Sequence, residues 1–99
     1  MFAQVLRASA GPGRCIELER AVHDHLLPAL RGEAGFSGAF NLVDAVTGDS
    51  IAVVFWETEE QAARPVRARG ERLRQALATV ARLSCGGQQV SIWEVSARA

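Results

Sequence analysis

Few side chains in these 99 residues can act on a small molecule, and their spacing limits what they can do. His23 and His25 are two residues apart in a stretch of helical periodicity, so their imidazoles point in different directions and cannot share a metal ion. His25 borders the stripe of Leu18, Val22 and Ala29 and is the candidate general base, because imidazole exchanges protons near neutral pH. A surface or interface histidine is the plainer reading. Arg69 falls one turn from Val66 and Leu73, inside the apolar stripe of a second predicted helix. A charge there is costly unless it is paired, faces a wet cavity or snorkels to the stripe edge. In a pocket, Arg69 would hold an anionic oxygen such as a phenolate. Trp56 closes a predicted strand and should share the helix-facing side with Ala52 and Val54, either as core or as a wall for a substrate. Its indole N–H needs a hydrogen-bond partner in either case. Asn41 and Gln4, read as lying on neighbouring strands, either line a pocket or face solvent near the sheet edge. Cys85 adjoins a glycine pair without an activating neighbour, which argues against a reactive thiol.

Other chemistries have no support. There is no glycine-rich phosphate loop, no paired-cysteine metal signature, no HExxH and no nucleophile elbow. Cys15 and Cys85 are too few for a disulfide framework and too far apart for a metal finger, which suits a reducing, cytoplasmic setting. The first residues resemble neither a signal peptide nor a transit peptide, and no run approaches the roughly 20 apolar residues of a membrane span. Eleven basic residues, all arginine, balance eleven acidic ones, so no net field draws the chain to nucleic acid or anionic lipid. Arg64, Arg67, Arg72, Arg74 and Arg82 scatter around the predicted second helix without interleaved aromatics, the pattern of a solvated face.

Periodicity defines the elements that must position these residues. Strands are predicted over 2–7, 36–43, 50–57 and 89–95, the middle two joined by a hairpin at Thr47-Gly48-Asp49. Residues 14–31 follow the helical period with Cys15, Leu18, Val22, Leu26, Ala29 and Leu30 on one stripe, and Pro28 predicts a kink or a loosened last turn. The second helix starts at Thr58-Glu59-Glu60-Gln61, a capping box. It carries Ala62, Val66, Leu73, Leu77 and Val80 inward, is broken near Pro65 and Gly70, and stops before Gly86-Gly87.

The order β-α-β-β-α-β describes a single α+β domain over 1–99 of the ferredoxin-like type, with a four-stranded antiparallel sheet and both helices on one face. The other face should then be bare. Ile51, Val53 and Phe55 alternate with Ala52, Val54 and Trp56, so both faces of the third strand are apolar. Phe2, Leu6, Phe36, Phe40, Leu42, Val90 and Ile92 are expected to extend the bare apolar face. Because a sheet face exposed to water should be polar, the expected partner is a second copy, packed sheet to sheet as a homodimer.

Several short passages carry a resemblance: Leu26-Leu27-Pro28-Ala29-Leu30-Arg31, Gly35-Phe36-Ser37-Gly38, Val54-Phe55-Trp56-Glu57-Thr58-Glu59-Glu60 and Val90-Ser91-Ile92-Trp93-Glu94-Val95. Across essentially its whole length, the chain resembles the antibiotic-biosynthesis monooxygenase (ABM) superfamily, whose members form dimeric α+β barrels. The resemblance admits cofactor-free oxygenases of polycyclic phenols or quinones, haem-degrading enzymes and proteins without an assigned activity. Trp56 matches the family's recurrent tryptophan at the end of the third strand. Haem degradation would also require a histidine on the second helix and an asparagine on the first strand, whereas residues 58–83 contain no histidine and the first strand carries Gln4.

The resemblance thus implies a monooxygenase without a cofactor, acting on a small aromatic, polyketide-like phenol or quinone. In that reading Arg69 steadies the oxyanion, His25 removes the proton, and Trp56, Asn41 and Gln4 contact the substrate. The alternatives are a non-catalytic dimer that binds a small aromatic molecule and a structural accessory domain, the latter favoured if no pocket reaches roughly 300 Å³.

Overall fold

The computed structural model describes residues 1–99; the side chain of Cys15, expected on the first helical stripe, lies outside the described residues. The chain runs β1 (Phe2–Ser9), α1 (Cys15–Ala21), a π-helical turn (Val22–Leu26), α2 (Leu27–Leu30), β2 (Phe36–Val43) and β3 (Asp49–Trp56). It continues through α3 (Glu59–Ala62), a 3-10 turn (Val66–Ala68), α4 (Glu71–Leu83) and β4 (Gln89–Glu94). The strands form one antiparallel sheet in the order β2-β3-β1-β4, and every helix packs on the same face, which is the ferredoxin-like α+β arrangement. Among the described residues, no helix is long and apolar enough to cross a membrane.

The loosening expected at Pro28 lies one turn earlier. Proline has no N–H to offer the carbonyl four residues back, and the helix answers by widening, with the Leu27 N–H bonded to the Val22 carbonyl five residues away. The wider turn keeps Val22, Leu26, Ala29 and Leu30 on one buried face despite the proline. The capping box forms in full: Thr58 Oγ1 accepts from the Gln61 N–H at 3.2 Å, and Gln61 Oε1 accepts from the Thr58 N–H at 3.2 Å.

Leu18, Val22, Leu26, Leu30, Leu73, Ala76 and Val80 close over Val54 and Trp56. Direct pairing decides the sheet faces. Phe2 and Phe36 both pair with Trp56, Leu6 with Ala52 and Val90, and Gln4 with Val54 and Ile92. Phe2, Leu6, Phe36, Val90 and Ile92 therefore lie on the helix side, and their expected place on the bare face is corrected. For Phe36 the cause is a bulge between Phe36 and Gly38, which adds a residue and inverts the alternation relative to Phe40 and Leu42. The bare face keeps its apolar character through Val5, Phe40, Leu42, Val53, Phe55 and Trp93, with Phe40 62%, Leu42 56% and Trp93 62% exposed.

Two further expectations change. Strand β3 separates the strands of Gln4 and Asn41, so these are not neighbours. Arg69 is not helical: it is extended (φ −79°, ψ 162°) between the 3-10 turn and α4, and Val66, assigned to the inward stripe, is 53% exposed. Pro65 and Gly70 interrupt the helix, so the 100° progression that put Val66, Arg69 and Leu73 in line does not run through this segment.

Candidate functional site

A cavity of about 230 Å³ lies between the sheet and the helices. Its floor is Gln4, Leu6, Val54 and Trp56, and its walls come from Leu26 and Leu30, from residues 62–66 and Arg69, from Leu73 and Leu77, and from Gln88, Val90 and Ile92. Alternation places Gln4, Val54 and Trp56 on the helix side, while the break between α3 and α4 turns two arginines, Arg64 and Arg69, toward the same space.

Trp56 is fully buried at this floor. Its Nε1–H donates to Gln4 Oε1 at 3.1 Å, which gives the indole the partner it needs. Phe36 packs beside it, with ring centroids 6.2 Å apart and planes tilted by 50°. Arg69 covers the ring, its guanidinium carbon 4.5 Å from the centroid, close enough for attraction between the cation and the π face.

Arg69 is itself only 6% exposed. Nη2 donates to the Ala62 carbonyl at 3.2 Å, whereas Nη1 is buried with no hydrogen-bond partner. Desolvation lowers the Arg69 pKa from the usual arginine value; the charge of Glu33 opposes that and the charge of Arg64 adds to it. Glu33 spends one oxygen on the Gly70 N–H at 3.3 Å and forms no ion pair with Arg69. The guanidinium is thus a buried cation held by one carbonyl and one ring.

Three of the five sequence-derived site residues meet here: Arg69, Trp56 and Gln4. Gln4, for which a solvent-facing edge position was an alternative, is on a central strand inside the cavity. His25 does not join them. It is exposed in a shallow groove with Arg72, Gln75, Ala76 and Thr79, because the helical turn that buries Val22 and Leu26 directs it outward, and its expected role as base in the cavity is corrected. Asn41 lies toward the far edge of the sheet, where its Oδ1 accepts from the buried Ser50 hydroxyl at 3.1 Å, so it satisfies a core polar group and does not line the cavity. Cys85 is exposed, with Sγ 3.4 Å from the Ala10 carbonyl oxygen.

Sequence reasoning missed Arg64 and Gln88. The scatter of arginines places Arg64 with the solvated helix face, but the residue before Pro65 is disfavoured in helical conformation, and that dipeptide is the signal that Arg64 leaves the helical face. Gln88 precedes β4 in a loop, and nothing in its sequence neighbourhood marks it.

No protein-family model matches this sequence, and no curated protein matches it significantly. Solved structures do. A candidate antibiotic biosynthesis monooxygenase from Bordetella bronchiseptica aligns with a TM-score of 0.81 and 18% identity over 97% of each chain. Another from Nitrosomonas europaea aligns with a TM-score of 0.77 and 16% identity over 98% of this chain and 100% of the other. SnoaB, a cofactor-independent oxygenase from Streptomyces nogalater, aligns with a TM-score of 0.73 and 14% identity over 98% of this chain and 94% of its own. At these identities the likeness establishes the fold that this chain shares with those proteins.

Proposed function

We propose that this chain is a cytoplasmic homodimer of ABM type whose cavity binds a small apolar molecule, and that it oxidises a phenol or hydroquinone with dioxygen without a cofactor. The observation that carries this reading is the Arg69 guanidinium, a buried cation over the Trp56 ring on the wall of the apolar cavity. Such a cation stabilises negative charge developing on a bound oxygen, and does so more strongly than it would in water. In an anthrone-type substrate the methylene carbon loses a proton to give an enolate, and that carbon bonds to one oxygen of dioxygen. The hydroperoxide then loses water, leaving the quinone carbonyl. Arg69 stabilises the enolate oxygen, Gln4 positions it, and Trp56 holds Arg69 in place. Among the described residues the only titratable groups lining the cavity are Arg64 and Arg69, so the proton leaves to solvent through the open side.

The likeness to SnoaB supports the oxygenase class at the level of fold. The bare apolar face around Phe40, Leu42, Phe55 and Trp93 supports the dimer. A second reading is a binding dimer without turnover, favoured by the absence of any acid or imidazole from the cavity lining among the described residues. Oxygen uptake with a panel of hydroquinones and anthrones separates the two. Turnover that falls by about a hundredfold in Arg69→Ala, as for loss of an oxyanion donor, and is unchanged in His25→Ala supports the oxygenase. Retention of a ligand with no oxygen uptake supports the binding module.

A further inference from the structure

The hydrogen-bonding polarity of the cavity wall is one-sided. Indole nitrogen can only donate, so the 3.1 Å contact with Trp56 fixes Gln4 Oε1 as the acceptor, leaving one lone pair of that oxygen and the two donors of the amide NH2. Arg64 and Arg69 can only donate. No carboxylate lines the cavity, and Glu33, the acid that influences Arg69, lies outside the lining and is bonded to Gly70. Apart from Gln88, every polar side chain of the wall therefore presents donors, and two of the four carry a positive charge. The rest of the lining is almost wholly aliphatic and includes Leu6, Leu26, Leu30, Leu73 and Leu77. Trp56, the one aromatic residue among the lining, has a ring face already covered by Arg69.

Neither arginine belongs to an ion pair among the described residues. Glu33 acts on Arg69 from a distance without an ion pair, and the charge of Arg64 adds to the cost of keeping a buried cation. From this donor-rich wall without a carboxylate and its two guanidinium groups, neither in an ion pair, we infer that the cavity is a receptor for a ligand that is already an anion in solution: a compact hydrophobic carboxylate, its charge beside Arg69 and Arg64 and its body among the leucines. Nη1 of Arg69 is enclosed by protein atoms, so a ligand's charge acts on this guanidinium through space and not by a bond to that atom. This inference rests on the reading of the cavity as the ligand site, and it narrows the substrate class to phenols, hydroquinones or anthrones that also carry a carboxylate.

Calorimetric titration of the full chain at pH 7.5 with benzoate and cyclohexanecarboxylate, each compared with its neutral amide, tests it. The acids should bind at least about tenfold more tightly than the amides, the scale of a charge-assisted contact in a desolvated site. Arg69→Gln should reduce that ratio to about one while leaving amide affinity in place, Arg64→Gln should lower acid affinity several-fold without affecting the amides, and Arg69→Lys should retain part of the preference. Equal affinity for acid and amide, or a preference that survives both glutamine variants, overturns the inference and leaves the cavity as a neutral site. Failure of all four compounds to bind overturns the inference together with the reading of the cavity as the ligand site. Selective binding of the acids without oxygen uptake from any hydroquinone or anthrone, carboxylated ones included, upholds the inference and removes the oxygenase.

Discussion

The guanidinium carbon of Arg69 stands 4.5 Å from the centre of the Trp56 ring, although the two residues come from an extended linker and from the last position of a central strand. Gln4 on β1 holds the indole from its polar edge at 3.1 Å. Three elements distant in sequence thus fix one cation over one ring on a cavity wall.

Replacing that cation by a neutral chain of similar length should separate binding from stability. Arg69→Met loses the contact with the ring and the bond to the Ala62 carbonyl, and it also removes a desolvated charge and its repulsion from Arg64. The opposing terms leave a net change in unfolding free energy within about 1 kcal/mol, as when a buried charge is replaced by an apolar isostere. Urea denaturation measures the stability and calorimetry with benzoate the binding, where the loss should be about tenfold or more.

The Trp56–Gln4 bond should appear as an energetic coupling. Gln4→Leu leaves the buried indole N–H without an acceptor and should cost about 1–3 kcal/mol. Trp56→Phe removes the indole from the core and should cost roughly 2–4 kcal/mol. The double variant should be less unstable than the sum by about 1 kcal/mol, because the unpaired donor is then gone. Strict additivity in chemical denaturation would show that the bond contributes nothing.

Gly35 is required where β2 begins. Its φ is +82°, and a Cβ there would fall 1.9 Å from Gln61 Oε1, the oxygen that completes the capping box of α3. Gly35→Ala should combine the left-handed penalty of about 1–2 kcal/mol with loss of a cap of about 1 kcal/mol. Thr58→Ala should show only the second component, and thermal unfolding of the two variants compares them.

The bare sheet face offers a test of association. Phe40→Glu and Leu42→Glu each place a charge on a side chain that is more than half exposed in the single chain. Light scattering at micromolar concentration should shift from dimer to monomer mass while the far-ultraviolet circular dichroism is retained, since neither side chain belongs to the core. A wild-type chain that is already monomeric under those conditions would remove the sheet-to-sheet dimer.

The order of strands and helices, the full capping box at Thr58 and the helix-facing side of β3 were legible in the sequence. Each depends on local periodicity or on side chains within one turn, and local sterics decide such features before the chain is compact. The faces of β1, β2 and β4 were not legible. Their parity relative to β3 is set by inter-strand register, which has no local signature, and by the bulge at Phe36 and Gly38, of which Gly38 within the strand was the one local sign. The same division runs through the site. The sequence by itself marked Arg69 as a charge among apolar residues and Trp56 as an indole in need of a partner. Only the packed chain brought them together with Gln4, added Arg64 and directed His25 and Asn41 away, because the break between Pro65 and Gly70 ends the helical period and lets burial decide where each side chain points.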